Sequence, residues 1–309
     1  MTGTSVAVGS EGKRNRVGMK RGIIEAEVDE FGFYMSFTKR SLDMDTERGL
    51  LSRYVRGIGE AQGDMREAQI RSSLLSASEQ NRVFGGDATI MREIDENCVL
   101  DFTALRMMDQ ALTDARCPLD TTMITGSTKV DTKVIPAARY VYVGSELRPT
   151  LEDMVHGTKE LWVPVEMYAA AGTTADGEAG KIGNFRFIID NEFPNYAGQG
   201  ADAETSAGAP GDDDDAEKIH NRHTTVSSDG VNAGDEYFDV FPVLFVGSGS
   251  FATVGFAGDV ARVTTIMPKA DAHNDMYGKK GAVSISWYYG MMVLQKTWIR
   301  QIAVSAKIA

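Results

Sequence analysis

Cysteine is almost missing from this chain: 309 residues contain two, Cys98 and Cys117, with no Cys-x-x-Cys spacing. This rules out a disulfide framework and a zinc ribbon, and it suits two small buried hydrophobes in a reducing compartment. Histidine is scarce too, with His156, His220, His223 and His273 as the full set. No HExxH pair and no EF-hand spacing occurs. Long apolar runs are lacking. The two longest, around residues 240–246 and 287–294, are far shorter than the about 20 residues a membrane helix needs. Residues 1–10 have neither the basic start nor the apolar core of a secretory signal. Positive charge is in the minority, 32 Lys and Arg against 44 acids, a formal net charge of -12. A surface of that sign repels phosphate backbones, which excludes tight non-specific nucleic-acid binding but not a life beside DNA.

What remains is globular in character. Hydrophobic residues at 42% and charged residues at 25% set the chain apart from disordered sequences, and its length suffices for one large domain or two ordinary ones. Residues 1–21 are polar, Gly-rich and locally basic through Lys13, Arg14, Arg16, Lys20 and Arg21. With no aromatics interleaved to stack on bases, they read as a solvated arm.

From residue 24 the pattern becomes that of a strand. Ile24, Ala26 and Val28 alternate with acids, then Phe31, Phe33, Met35 and Phe37 continue in the opposite phase. A slip of one residue swaps faces, so the spacing predicts a long strand with a bulge or bend at Asp29-Glu30. A helix is predicted next, capped by Asp45 and running to about Ser78, with Leu51, Tyr54, Ile58, Ala61, Met65 and Ala68 as its apolar stripe. Gly57, Gly59 and Gly63 each cost such a helix about 1 kcal/mol against alanine, which predicts close backbone contact or a kink there. A second helix is predicted over residues 101–116, stopped by Pro118 and burying Phe102, Leu105, Met108, Leu112 and Ala115, with the Met107-Met108 pair as core filling. Beyond residue 119 the pattern is mainly β. Strands are predicted over 139–143, 185–189, 237–246, 260–267 and 283–294, with a short Pro-initiated helix over 149–155. Between residues 196 and 235 hydrophobic side chains nearly vanish, which marks an insertion.

That insertion carries the best candidate for chemistry. "GAPGDDDDAEKIHNRH" places Asp212, Asp213, Asp214 and Asp215 just ahead of His220 and His223. Adjacent aspartates point in different directions, and two histidines do not close a tetrahedral zinc site, so these six are weak metal candidates on a solvated acidic loop. Gly180-Lys181 is not a phosphate loop, and Gly247-Ser248-Gly249-Ser250 lacks the spacing of an esterase elbow. No catalytic residue, cofactor-binding residue or cofactor is assigned.

Seven stretches, taken in order, carry a resemblance. They are "EAEVDEFGFYMSFTKRSLD" from Glu25, "GIGEAQGDMREAQIRSSLL" from Gly57, "VIPAARYVYVGSELRPTLEDM" from Val134, "WVPVEMYAAAG" from Trp162, "GEAGKIGNFRFIIDNE" from Gly177, "YFDVFPVLFVG" from Tyr237 and "YGKKGAVSISWYYG" from Tyr277. From about Arg16 onward the chain resembles the major capsid proteins of tailed bacteriophages, in the coliphage N-four branch. The resemblance implies an α+β, Hong Kong 97-type phage capsid fold with a long spine helix, a peripheral domain and an axial domain. It implies a division into residues 1–21 (an N-terminal arm or remnant of an extended loop), 22–118 (peripheral domain with the spine helix), 119–258 (axial domain, acidic insertion about 197–235) and 259–309 (C-terminal strands returning to the junction). The family usually carries an arm and an extended loop ahead of the position matching Arg16, for which this sequence has little room.

The function implied is a structural protein, not an enzyme. It would self-assemble as hexamers and pentamers into the icosahedral head that encloses double-stranded phage DNA, without sequence-specific DNA contact and without a membrane. Portal, scaffolding and cementing or decoration proteins are the implied partners, and the virion capsid, assembled in the host bacterial cytoplasm, is the implied location. The competing class is a metal-dependent α+β hydrolase using the Asp212–His223 segment.

Overall fold

A computed structural model describes residues 22–44, 49–121, 136–156, 159–167, 175–203, 223–226, 236–255, 261–270 and 275–308. Strand β1 (Asp29–Thr38) leads through the short helix α1 (Lys39–Asp43) to the long helix α2 (Leu50–Ser78), then to β2 (Arg82–Phe84) and helix α3 (Phe102–Asp114). There follow β3 (Arg139–Gly144), α4 (Arg148–Glu152), β4 (Val155–His156), β5 (Lys159–Glu160), β6 (Val163–Pro164), β7 (Glu178–Ile182) and β8 (Phe185–Asp190). The last third holds β9 (Thr224–Val226), β10 (Glu236–Phe238), β11 (Phe241–Val246), β12 (Phe251–Val254), β13 (Arg262–Ile266), β14 (Lys280–Val293) and β15 (Ile299–Val304).

Two sheets organise the chain. The larger runs β2-β15-β11-β3-β8-β7-β6, mixing parallel and antiparallel pairs. Side chains alternate across it. Val141, Val143, Phe187, Val243 and Phe245 face the stripe of α3, where Leu105, Met108 and Leu112 are buried. Leu244 and Ile299 point the other way, onto Leu74 and Leu75 at the end of α2. Full burial of residues such as Phe187 and Phe245 contributes about 1.5–3 kcal/mol each.

The second sheet is an arm. β14 pairs with β1 along one edge, and with β13 and then β12 along the other. Its alternation is the one predicted: Val283, Ile285, Trp287 and Tyr289 are buried against the first half of α2, while Ser284 and Ser286 are half-exposed. Phe31 stacks on Trp287 and Phe33 meets it edge-on, so the aromatic side chains of β1 lock the register of the pair. The helix therefore has one end on each sheet and ties them together.

Several local expectations need correction. Residues 22–28 are not strand, and β1 pairs with β14 through ten residues without a bulge. Glu27 and Val28 lie against Gly290 of β14 without forming a ladder. Ile23 and Ile24 are exposed. Asp45 lies outside the described residues, and α2 begins after Gly49 with no side-chain cap. The helix is continuous, and its buried line runs Ile58, Leu74, Leu75 and Ser78, leaving Met65 exposed. Met107 also faces solvent; only Met108 fills core. The strand predicted over 237–246 breaks between Phe238 and Phe241, and β7 and β15 emerge where no strand was expected. Both cysteines are free and buried, as expected.

Candidate assembly surface

The junction between α2 and the large sheet forms an open groove of about 680 Å³. Leu74, Tyr142, Leu244, Val246 and Phe251 make its apolar floor, and Asp64, Glu67, Asp176, Asp190 and Glu192 its rim. Among the described lining residues, one cation answers these acids. Arg71, two turns before the end of α2 and only 14% exposed in its side chain, donates to Asp190 at the end of β8 and to Glu192 at 3.0 Å. Asp64, Glu67 and Asp176 remain exposed.

Other polar groups serve the scaffold. Asp101 caps α3 by accepting from the backbone N–H groups of Phe102 and Thr103. Arg139 donates to Asp109 at 2.6 Å and to the Cys117 carbonyl at 2.8 Å, pinning β3 to α3. Arg186 and Glu178 face each other at 3.8 Å with both side chains wholly buried, and Glu178 also accepts from the Ala175 N–H at 3.0 Å. Burial, and then the neighbouring Arg186, lower the pKa of Lys181; burial raises that of Tyr142. Arg139, Tyr142, Glu178, Lys181 and Arg186 all sit within strands of the large sheet.

Of the six metal candidates, Asp212, Asp213, Asp214, Asp215 and His220 lie outside the described residues. His223 is half-buried; its ring packs edge-on against Phe241 at 5.4 Å and its carbonyl accepts from the Asp239 N–H. Among the described residues no group of three or more His, Cys, Asp or Glu is placed to hold a metal ion. The described parts of the insertion are more firmly attached than composition suggested. Ala203 is buried, the Gly200 N–H donates to the Phe238 carbonyl, the Ala201 N–H donates to the Ile94 carbonyl, and β9 pairs with β10. Sequence reasoning missed this because backbone hydrogen bonds leave no compositional trace.

The arrangement of two sheets bridged by one long helix can be set beside known proteins. Residues 23–290 match the family model for phage capsid protein. The chain belongs to that family. It is 33% identical over 305 residues to the major capsid protein of Pseudomonas phage KPP21, a match covering 96% of this chain and 71% of that one. Among solved structures the fold is similar to the capsid of Ralstonia phage GP4, with a TM-score of 0.56 over 92% of this chain and 74% of the other at 12% identity. It is similar also to the capsid of Cyanophage P-SCSP1u, with a TM-score of 0.52 over 97% and 80% of the two chains, again at 12% identity. These two likenesses establish the Hong Kong 97-type fold. The capsid subunit is thus a structural protein of a phage capsid, and the hydrolase reading finds no support in its family. The functional surfaces of such a protein are those that meet other copies. The groove, assembled from residues over 180 positions apart, was not legible in any single stretch.

Proposed function

We propose that this major capsid protein self-assembles as hexamers and pentamers into an icosahedral head enclosing double-stranded DNA, within the host bacterial cytoplasm. The observation that carries the reading is sequence identity maintained over 96% of the chain to a major capsid protein. The arm and α2 are assigned to a peripheral domain and the large sheet to an axial domain, with β14 and β15 returning one to each. Because Leu105, Met108 and Leu112 of α3 share the core of the large sheet, α3 goes with the axial domain although it precedes residue 118. The net charge of -12 gives the shell an acidic character that leaves enclosed DNA mobile, at the cost of repulsion between subunits which paired charges and apolar contact must offset. Portal, scaffolding and cementing proteins are the partners such a head would engage.

Negative-stain electron microscopy of purified protein across salt and protein concentration tests the proposal. Polyhedral shells or capsomer rings are expected, and a uniform monomer under every condition would overturn it. The acidic run is assigned no part in holding metal. Replacing Asp212, Asp213, Asp214 and Asp215 by asparagine is expected to leave assembly intact.

A further inference from the structure

The far end of the arm is chemically the opposite of the groove. Thr38 pairs with Lys280 across the β1-β14 ladder, and the Lys39 N–H donates to the Lys279 carbonyl at 2.8 Å. Gly278 packs so closely on the backbone of Lys269 and Ala270 that a Cβ there would lie 2.7 Å from the Ala270 nitrogen. These contacts gather Lys39, Arg40, Lys269, Lys279 and Lys280 at one tip, all exposed. Against five cations the described tip holds two acids, Asp43 and Asp275, and Asp275 is engaged by the Lys280 N–H at 2.6 Å. Among the described residues no carboxylate forms an ion pair with any of the five. The tip is also apolar: Met276 is 72% and Tyr277 78% exposed, with the Lys279 ammonium 5.2 Å over the Tyr277 ring.

We infer that the basic, aromatic tip of one subunit docks into the acid-rimmed groove beside α2 of a second copy. The two surfaces are complementary in both respects that matter. The floor of Leu74, Tyr142 and Phe251 takes Met276 and Tyr277 out of water, and Asp64, Glu67 and Asp176 meet Lys279 and Lys280. A subunit cannot fill its own groove. Lys280 begins β14 at the tip, whereas Val293 ends it beside Phe251 in the groove wall; thirteen steps of about 3.3 Å hold the two sites about 43 Å apart. The contact is therefore head-to-tail, the kind that closes into rings when repeated by rotation. It supplies locally paired charge that offsets the repulsion between acidic subunits. The inference rests on the reading that copies of this chain assemble.

The test uses the full chain, assembled, treated with a carbodiimide that joins amines to carboxylates in contact, and mapped by mass spectrometry. Cross-links from Lys279 or Lys280 to Asp64, Glu67, Asp176 or Glu192 are expected. In parallel, the pair Lys279→Glu and Lys280→Glu, and separately the pair Asp64→Lys and Glu67→Lys, should each raise the protein concentration needed for assembly about tenfold or more, and combining all four should restore it. All four positions are exposed, and thermal unfolding verifies that each variant is folded. Shells that form with no tip-to-groove cross-link, with groove cross-links to Lys13 or Lys20 instead, or with no rescue in the combined variant overturn the docking and leave the capsid reading standing. Wild-type protein that forms no oligomer overturns both.

Discussion

Arg71 and Asp190 are 119 positions apart in sequence and form a direct ion pair, joining the long helix to the end of a strand in the large sheet. Glu192, two residues on, takes the second arm of the same guanidinium at 3.0 Å. This fork fixes the angle between helix and sheet at the mouth of the groove, and hence the direction in which the arm projects. Burial works against the Arg71 charge, but the hydrogen bonds to Asp190 and Glu192 outweigh it and raise its pKa. The cation persists at every pH at which the protein folds.

Replacing Arg71 with alanine is expected to lower stability by about 1–3 kcal/mol, as a shift of the urea midpoint. The exposed Glu192 partner contributes least, because solvent screens it. Lysine at this position should recover only part of the loss, since a point charge cannot bridge two carboxylates in the fork geometry.

Gly57, Gly59 and Gly63 sit in a continuous helix, and an added Cβ at any of them meets nothing within 4 Å in the subunit. Alanine at each should therefore raise the melting temperature of the unassembled subunit, contributing about 0.5–1 kcal/mol per site. Gly290→Ala should do the reverse. There a Cβ would lie 2.3 Å from the Glu27 carbonyl oxygen, and overpacking against backbone costs about 1–3 kcal/mol.

Glu178 and Arg186 lie wholly buried at 3.8 Å from each other. Glu178→Gln removes the carboxylate charge that faces the guanidinium and is expected to cost about 3–5 kcal/mol in denaturant unfolding. Adding Arg186→Met to that variant should cost less than the two single changes summed, because the two side chains interact and their losses are coupled.

Burial pushes the Cys98 thiol from its ordinary 9.0 up to about 11. A raised pKa means that the fold favours the protonated form. Its contribution to stability is full below pH 9 and is lost as pH rises through about 11. Iodoacetamide at pH 8 should leave Cys98 unmodified in the native protein and label it in urea, as read by intact mass. Native stability should fall between pH 9 and 11, and replacing Cys98 by alanine should flatten that fall.

Much of the fold was legible in local pattern. The stripe of Phe102, Leu105, Met108 and Leu112 announced α3, and Val283, Ile285, Trp287 and Tyr289 announced which face of β14 is dry. The end of α2 at Ser78 was read from its sequence, while the true course of its buried line was not. Between Ile58 and Leu74 the helix crosses from one sheet to the other, and the half-buried Gln62 and Gln69 stand where a simple stripe would place apolar residues.

β15 was missed for a related reason. Its residues, "IRQIAV", include a buried Gln301 whose side chain accepts from the Ser78 hydroxyl at 2.9 Å. Nothing local announces a strand that lies between β2 and β11. The insertion was read as a solvated acidic loop because composition records hydrophobicity alone, whereas its described residues Gly200 and Ala201 are held by hydrogen bonds to Phe238 and Ile94.

By itself, the sequence determined the element types, the dry faces and, through seven ordered stretches, the family. Those properties depend on spacing within one segment and on side-chain chemistry, which a linear chain carries openly. Only the tertiary structure decided the strand order, the ion pair of Arg71 with Asp190, and the separation of an acidic groove from a basic tip along one 14-residue strand. Such features arise where distant segments bury their dry faces against each other, and local periodicity shows that a face must be buried without saying against what.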